Sequence, residues 1–169
     1  MIKRFRKPIL MVFAFFAVSA VNADAQTTTF SDPLVDFTFE IPDARWKVVA
    51  KNPYVNLVFG TAKEGDLEVR KVSAPANKLL TDVIREDEEK LQFLPGYVAG
   101  KEENFSGALR GSIFNYEYVK AGRNMAGRFY YLRSGESVYV LRFTAYTTNL
   151  RSLRVQTDVM ARTFQITKN

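Results

Sequence analysis

Apolar and polar residues alternate along most of this chain, and the period changes at only two places. Phe37, Phe39 and Ile41 alternate with Thr38 and Glu40, the period-two pattern of a half-buried strand. Pro42-Asp43 breaks the pattern and Trp46-Lys47-Val48-Val49 begins a second strand. Asn56–Gly60 and Leu67–Val72 read as two more. They are joined by Lys63-Glu64-Gly65-Asp66, a hairpin turn in which Gly65 is expected to take positive φ. Over Asn77–Leu94 the period lengthens. Leu80, Val83, Ile84, Leu91 and Leu94 fall on one stripe of an amphipathic helix, with Asn77 as the expected cap and Pro95-Gly96 as the stop. The charged run Arg85–Lys90 is expected on the opposite, solvated side. It has helical spacing, whereas a calcium loop arranges its oxygens around a glycine turn.

Strand periodicity then returns. Tyr97–Phe105, Ala108–Lys120, Met125–Arg133 and Val138–Thr147 are expected strands separated by short turns, Ser106-Gly107, Ala121–Asn124 and Ser134–Glu136. Phe114, Tyr116 and Tyr118 share one side of their strand; Tyr139, Leu141, Phe143 and Ala145 share one side of theirs. Leu150, Leu153, Met160, Ala161 and Phe164 predict a closing helix, capped by Thr148 or Asn149. Hairpin-length connections require antiparallel pairing, because parallel strands need long crossovers. The expected class is α+β: a mostly antiparallel β-sheet of six to eight strands with a mid-chain helix and a C-terminal helix packed on it. Each helix has one apolar stripe, so each must lie on the sheet. Helices on opposite faces, an α/β/α sandwich, explain strands that are apolar on both sides.

The N-terminus departs from this pattern. Lys3, Arg4, Arg6 and Lys7 precede an unbroken apolar run, Ile9–Val21, and Ala23-Asp24-Ala25 offers the small residues of an A-x-A exit. A basic start, a short apolar run and such an exit describe a secretory signal peptide cleaved between Ala25 and Gln26. The run is short for a membrane span of about 20 residues, so an uncleaved anchor is the weaker alternative. No cysteine stands at the exit for lipid attachment. The expected organisation is a signal peptide over residues 1–25, a polar, flexible leader over 26–34 and one domain over 35–169. The location that follows is secreted or periplasmic, with membrane contact only in transit.

Composition narrows the chemistry. The 169 residues contain no cysteine and no histidine. Disulfides, thiol nucleophiles, Cys/His zinc sites and Ser-His-Asp triads are thereby excluded. No G-x-S-x-G elbow or phosphate loop is present. The formal charge of +6 falls to +3 once the four basic residues and one Asp of the first 25 are removed. No basic stripe remains for a nucleic acid. Asn104-Phe105-Ser106 fits a glycosylation sequon, which is coincidental behind a bacterial-type leader. No cofactor and no metal are expected.

Several of these features occur together in a known group. The early aromatic strand ends in Ile41-Pro42 with Trp46 shortly after. A hairpin precedes the helix that closes on Leu94-Pro95-Gly96-Tyr97, a glycine (Gly107 or Gly111) stands before the next strand, and the last helix ends in Phe164. This arrangement, over Phe37–Ile166, resembles the superfamily of PsbP-like, Mog-like and DcrB-like proteins. The resemblance implies an α/β/α sandwich and a non-enzymatic accessory or binding role, attached to photosynthetic complexes, a small GTPase or the bacterial envelope. The metal-associated histidines of plant members have no counterpart here.

Candidate functional residues concentrate in the meander. Tyr116, Tyr118, Tyr130 and Tyr131 lie among Arg128 and Arg133 and suggest a stacking platform for a sugar, peptide or anion. The alternative is that these rings cover the sheet with arginine stems across them. Arg142, set among apolar residues, requires a partner; Glu117 is the first expectation and Glu68 the second. Trp46, Phe143 and Phe164 are expected in the core. Three functions remain open: a secreted or periplasmic accessory protein that binds an envelope protein or other envelope component; a carrier of a small apolar or aromatic ligand in an enclosed cavity; and a carboxylate hydrolase, for which Glu68 with Glu117 is one conceivable pair.

Overall fold

A computed structural model describes residues 27–51, 53–61 and 64–167. The expected signal peptide lies outside the described residues. Seven strands form one antiparallel sheet in the order β3-β4-β5-β9-β8-β7-β6. In chain order these are β3 (Trp46–Ala50), β4 (Val55–Phe59), β5 (Asp66–Ser73), β6 (Val98–Ser106), β7 (Arg110–Lys120), β8 (Arg123–Ser134) and β9 (Ser137–Tyr146). A smaller sheet, β1-β2-β10, is built from Thr28–Phe30, Phe37–Ile41 and Gln165–Ile166. The helices are α1 (Leu80–Leu91) and α2 (Thr147–Arg162). Among the described residues no helix is long and apolar enough to cross a membrane.

The two helices lie on opposite faces of the large sheet, as the double-sided hydrophobicity of the strands requires. Residues 130, 132, 139, 141 and 143 pack beneath α2 and the small sheet with Trp46, Leu57, Leu67 and Phe164. Residues 114, 116, 129, 131, 138 and 140 pack beneath α1 with Val83, Ile84 and Leu91. Strand parity therefore assigns every side chain of the meander to one roof or the other. Trp46, Phe143 and Phe164 are all buried on the α2 side. Trp46 stacks at a tilt on Phe59, meets Phe143 edge-on and donates from Nε1 to Gln156 Oε1 at 2.8 Å.

Several local expectations are revised. The polar segment before Val35 contains β1, whose Phe30 is buried and stacks on Phe39 at 4.9 Å. Three ladder positions are too few to give a period, which is why the sequence pattern reads as a leader. Helix α1 starts three residues after Asn77, and its N-terminal backbone is satisfied by Asp82, which accepts from Leu79 N–H at 3.3 Å. Helix α2 follows β9 directly, with Tyr146 rather than Thr148 or Asn149 at its N-cap and no side-chain cap. In the hairpin between β4 and β5 the positive φ (59°) belongs to Gly60. Gly65 instead lies close against α2, since a Cβ there would stand 2.8 Å from Leu153 Cδ1. The Ala121-Gly122 turn has positive φ at both residues, 50° and 72°, the pattern of a two-residue hairpin between β7 and β8.

Candidate functional site

Parity divides the residues expected to form one aromatic and arginine platform. Arg128 and Tyr130 face α2; Tyr116, Tyr118, Tyr131 and Arg133 face α1. Most are committed to internal bonds. Arg128 is 6% exposed. It donates from Nε to Tyr130 Oη at 2.7 Å, from Nη1 to Asn115 Oδ1 at 2.9 Å and from Nη2 to Asp158 at 3.1 Å. Tyr130 also donates to Asp158, tying β8 to α2. Burial, and then the bond to Asp158, push the Tyr130 hydroxyl above the ordinary tyrosine range. Arg133 donates to the carbonyls of Lys78, at 2.6 Å, and of Ala74, and so holds the loop that enters α1.

On the α1 side the sequence concealed one residue. Asp87, inside the charged run expected to face solvent, is 7% exposed. Both its oxygens accept from Arg70, and Oδ2 also accepts from Tyr131 Oη at 3.0 Å. Its position is legible in hindsight: Val83, Asp87 and Leu91 are four apart, so Asp87 continues the apolar stripe. Burial, reinforced by Asp87, raises the Tyr131 pKa strongly.

Arg142 pairs with Glu68, not Glu117. Arg142 Nη1 donates to Glu68 Oε1 at 3.0 Å, directly across the β5–β9 ladder. Glu117 sits opposite Ala126 on β8 and so faces α2, through the sheet from Arg142. For the same reason Glu68 and Glu117 do not share a cleft. The Arg142 guanidinium also lies over the Phe129 ring at 4.8 Å.

Because α1 is only 12 residues long, it leaves part of its face of the sheet open. The result is a solvent-open groove of about 440 Å³. Leu91, Leu94 and Pro95 form one wall, Tyr116 and Tyr118 the floor, and Arg142 with Lys120 the polar margin. Asp66, on the same face two residues before Glu68, has its pKa raised by burial and by the Glu68 charge, against the pull of Arg142 and Lys120. Phe93, just beyond α1, is 83% exposed. Two further clefts among the described residues are likewise open, unlike the enclosed chamber a carrier requires. Among the described residues no group of acidic side chains is arranged to hold a metal ion.

No protein-family model matches the sequence, and no curated protein matches it. Solved structures do resemble the fold. Mog1p, a Ran-binding protein of Saccharomyces cerevisiae, superimposes with a TM-score of 0.60 at 10% identity, covering 84% of this chain and 96% of that one. The cyanobacterial PsbP of Synechocystis gives 0.59 at 14% identity, with 89% and 97% covered. LpqN of Mycobacterium tuberculosis, involved in cell envelope biogenesis, gives 0.56 at 18% identity, with 85% and 91% covered. At such identities the likeness is one of architecture, and it agrees with the resemblance carried by the sequence: this chain has the fold of the PsbP-like and Mog-like proteins.

Proposed function

We propose that the chain is an exported, non-catalytic accessory protein that binds a partner protein of the cell envelope through the groove beside α1. The observation that supports this most is the division of labour among its polar side chains. Arg70, Asp87, Arg128, Tyr130, Tyr131 and Arg133 are held in internal bonds, while the groove combines apolar walls with a charged margin. That mixture, with Phe93 exposed beside it, is the composition of a protein-binding surface. The basic and apolar N-terminus supports export, and the architecture is shared with a protein of envelope biogenesis.

The test is made in intact cells of the native host, with the full chain. The expected mature protein begins at Gln26 and is recovered outside the cytoplasm. A photoreactive residue at exposed Lys120 should give one discrete protein adduct, lost when Phe93→Ala and Tyr118→Ala are combined. Retention in the cytoplasm, or an adduct pattern indifferent to those changes, refutes the reading. So does a hydrolytic activity abolished by Asp66→Asn, which would make the carboxylate opposite Thr144 catalytic.

A further inference from the structure

A second cleft, of about 380 Å³, opens on the other face of the sheet. It lies between the first two turns of α2 and the strands β6, β7 and β8. Its floor carries small residues on the outer strands, Ala99 and Gly100 of β6 and Ala126 and Gly127 of β8, with Asn115 and Glu117 of β7 between them. The bulge between Ala99 and Glu102 displaces β6 there, and a Cβ at Gly100 would stand 2.4 Å from the Asn115 carbonyl oxygen.

The polar lining is mainly cationic. Arg128 lies in the wall, and Arg151 and Arg154 line the cleft from α2. They are three apart and therefore on one side of the helix. Unlike Arg128, which Asp158 neutralises at 3.1 Å, neither has an ion-pair partner among the described residues. Helix α2 adds to the positive field, since it has no side-chain cap and no acidic residue in its first turn. Thr147 at its start has a buried Oγ1 with no hydrogen-bond partner. The one carboxylate in the lining is Glu117, exposed on β7 and free of any ion pair among the described residues.

We propose that this cleft binds a small hydroxyl-rich molecule carrying a phosphate or carboxylate group, such as an anionic sugar. Arg151 and Arg154 take the oxyanion, for which guanidinium forks are suited. Glu117 accepts hydrogen bonds from hydroxyls and disfavours a bare oxyanion at its end, which fixes the orientation. The small residues of β6 and β8 leave space for the ring. This goes beyond the partner-binding role, and it concerns a different face.

Calorimetric titration at low salt tests it, with glucose 6-phosphate, glucuronate, glucose and inorganic phosphate as probes. At least one anionic sugar should bind more tightly than both glucose and inorganic phosphate. Arg151→Gln with Arg154→Gln should weaken that binding by about tenfold or more. Both positions are exposed, so the fold is retained. Glu117→Gln should remove the preference for the anionic sugar over inorganic phosphate. Failure of both anionic sugars to bind, binding unchanged in the double arginine variant, or binding only to phosphatidylglycerol vesicles would overturn the proposal. The Lys120 adduct should persist in the double arginine variant, which separates this test from that of the envelope partner.

Discussion

The two roofs of the sheet are held down by different physics. Helix α2 and the small sheet cover their side with an extensive apolar layer, in which Phe37 and Phe39 stack on Phe164 and Tyr139 meets Phe37 and Phe164 at an angle, beside one polar tie of Arg128 and Tyr130 to Asp158. Helix α1 is shorter, buries fewer apolar groups and centres on a charge pair, Arg70 with Asp87, that also engages Tyr131. Apolar packing tolerates small shifts, whereas a buried ion pair is sensitive to the loss of either partner. The α2 side should therefore respond chiefly to lost volume, even with its Arg128–Asp158 tie, and the α1 side to lost charge balance.

The largest expected effect tests the packed side. Trp46→Ala should cost about 3–5 kcal/mol in urea denaturation, since it removes a buried indole and strands Gln156. A loss below about 1 kcal/mol would mean that the α2 side is not the stronger layer. Asp87→Ala comes next, at about 3 kcal/mol, because it leaves Arg70 and the Tyr131 hydroxyl without their partner. Combining Arg70→Met with Asp87→Leu should recover most of that loss. If the pair of changes is as damaging as the single one, α1 is not held by charge balance.

Alkaline pH sharpens the contrast more gently. Tyr97 is raised to about 12 by burial and by its bond to Glu88, and Tyr116 and Tyr131 are raised further on the same side. Below pH 10, their ordinary value, both folded and unfolded chains hold the proton and stability is intact. Above it the unfolded chain ionises first, so stability should fall by up to about 1.4 kcal/mol per pH unit for each of the buried Tyr116 and Tyr131, and by less for the solvent-screened Tyr97. Denaturation midpoints measured from pH 9 to about 12 check this sign. The smallest effect is Arg142→Met, expected to cost under about 1 kcal/mol, because the Glu68 pair is part-exposed on both sides.

These contrasts also explain what the sequence revealed. Alternation along β7, β8 and β9 made the antiparallel meander legible, since ladders of about ten residues repeat a period many times. The small sheet was not legible, because β1 and β10 have three and two residues. The proposed platform failed to assemble on one surface because adjacent strand residues, such as Tyr130 and Tyr131, necessarily point opposite ways. Register decided the partner of Arg142: its facing residue on β5 is Glu68, whereas Glu117 points through the sheet. Asp87 was hidden by its company, a charged neighbour on either side.

The choice of Arg, Asp and Tyr for the interior ties has an environmental consequence. Guanidinium groups and these phenols keep one protonation state from about pH 6 to about pH 9, and the chain has no imidazole to change charge in that interval. The interior is thus buffered by chemistry against acidification of the surroundings. A scaffold made this way keeps its internal ties unchanged across that whole interval.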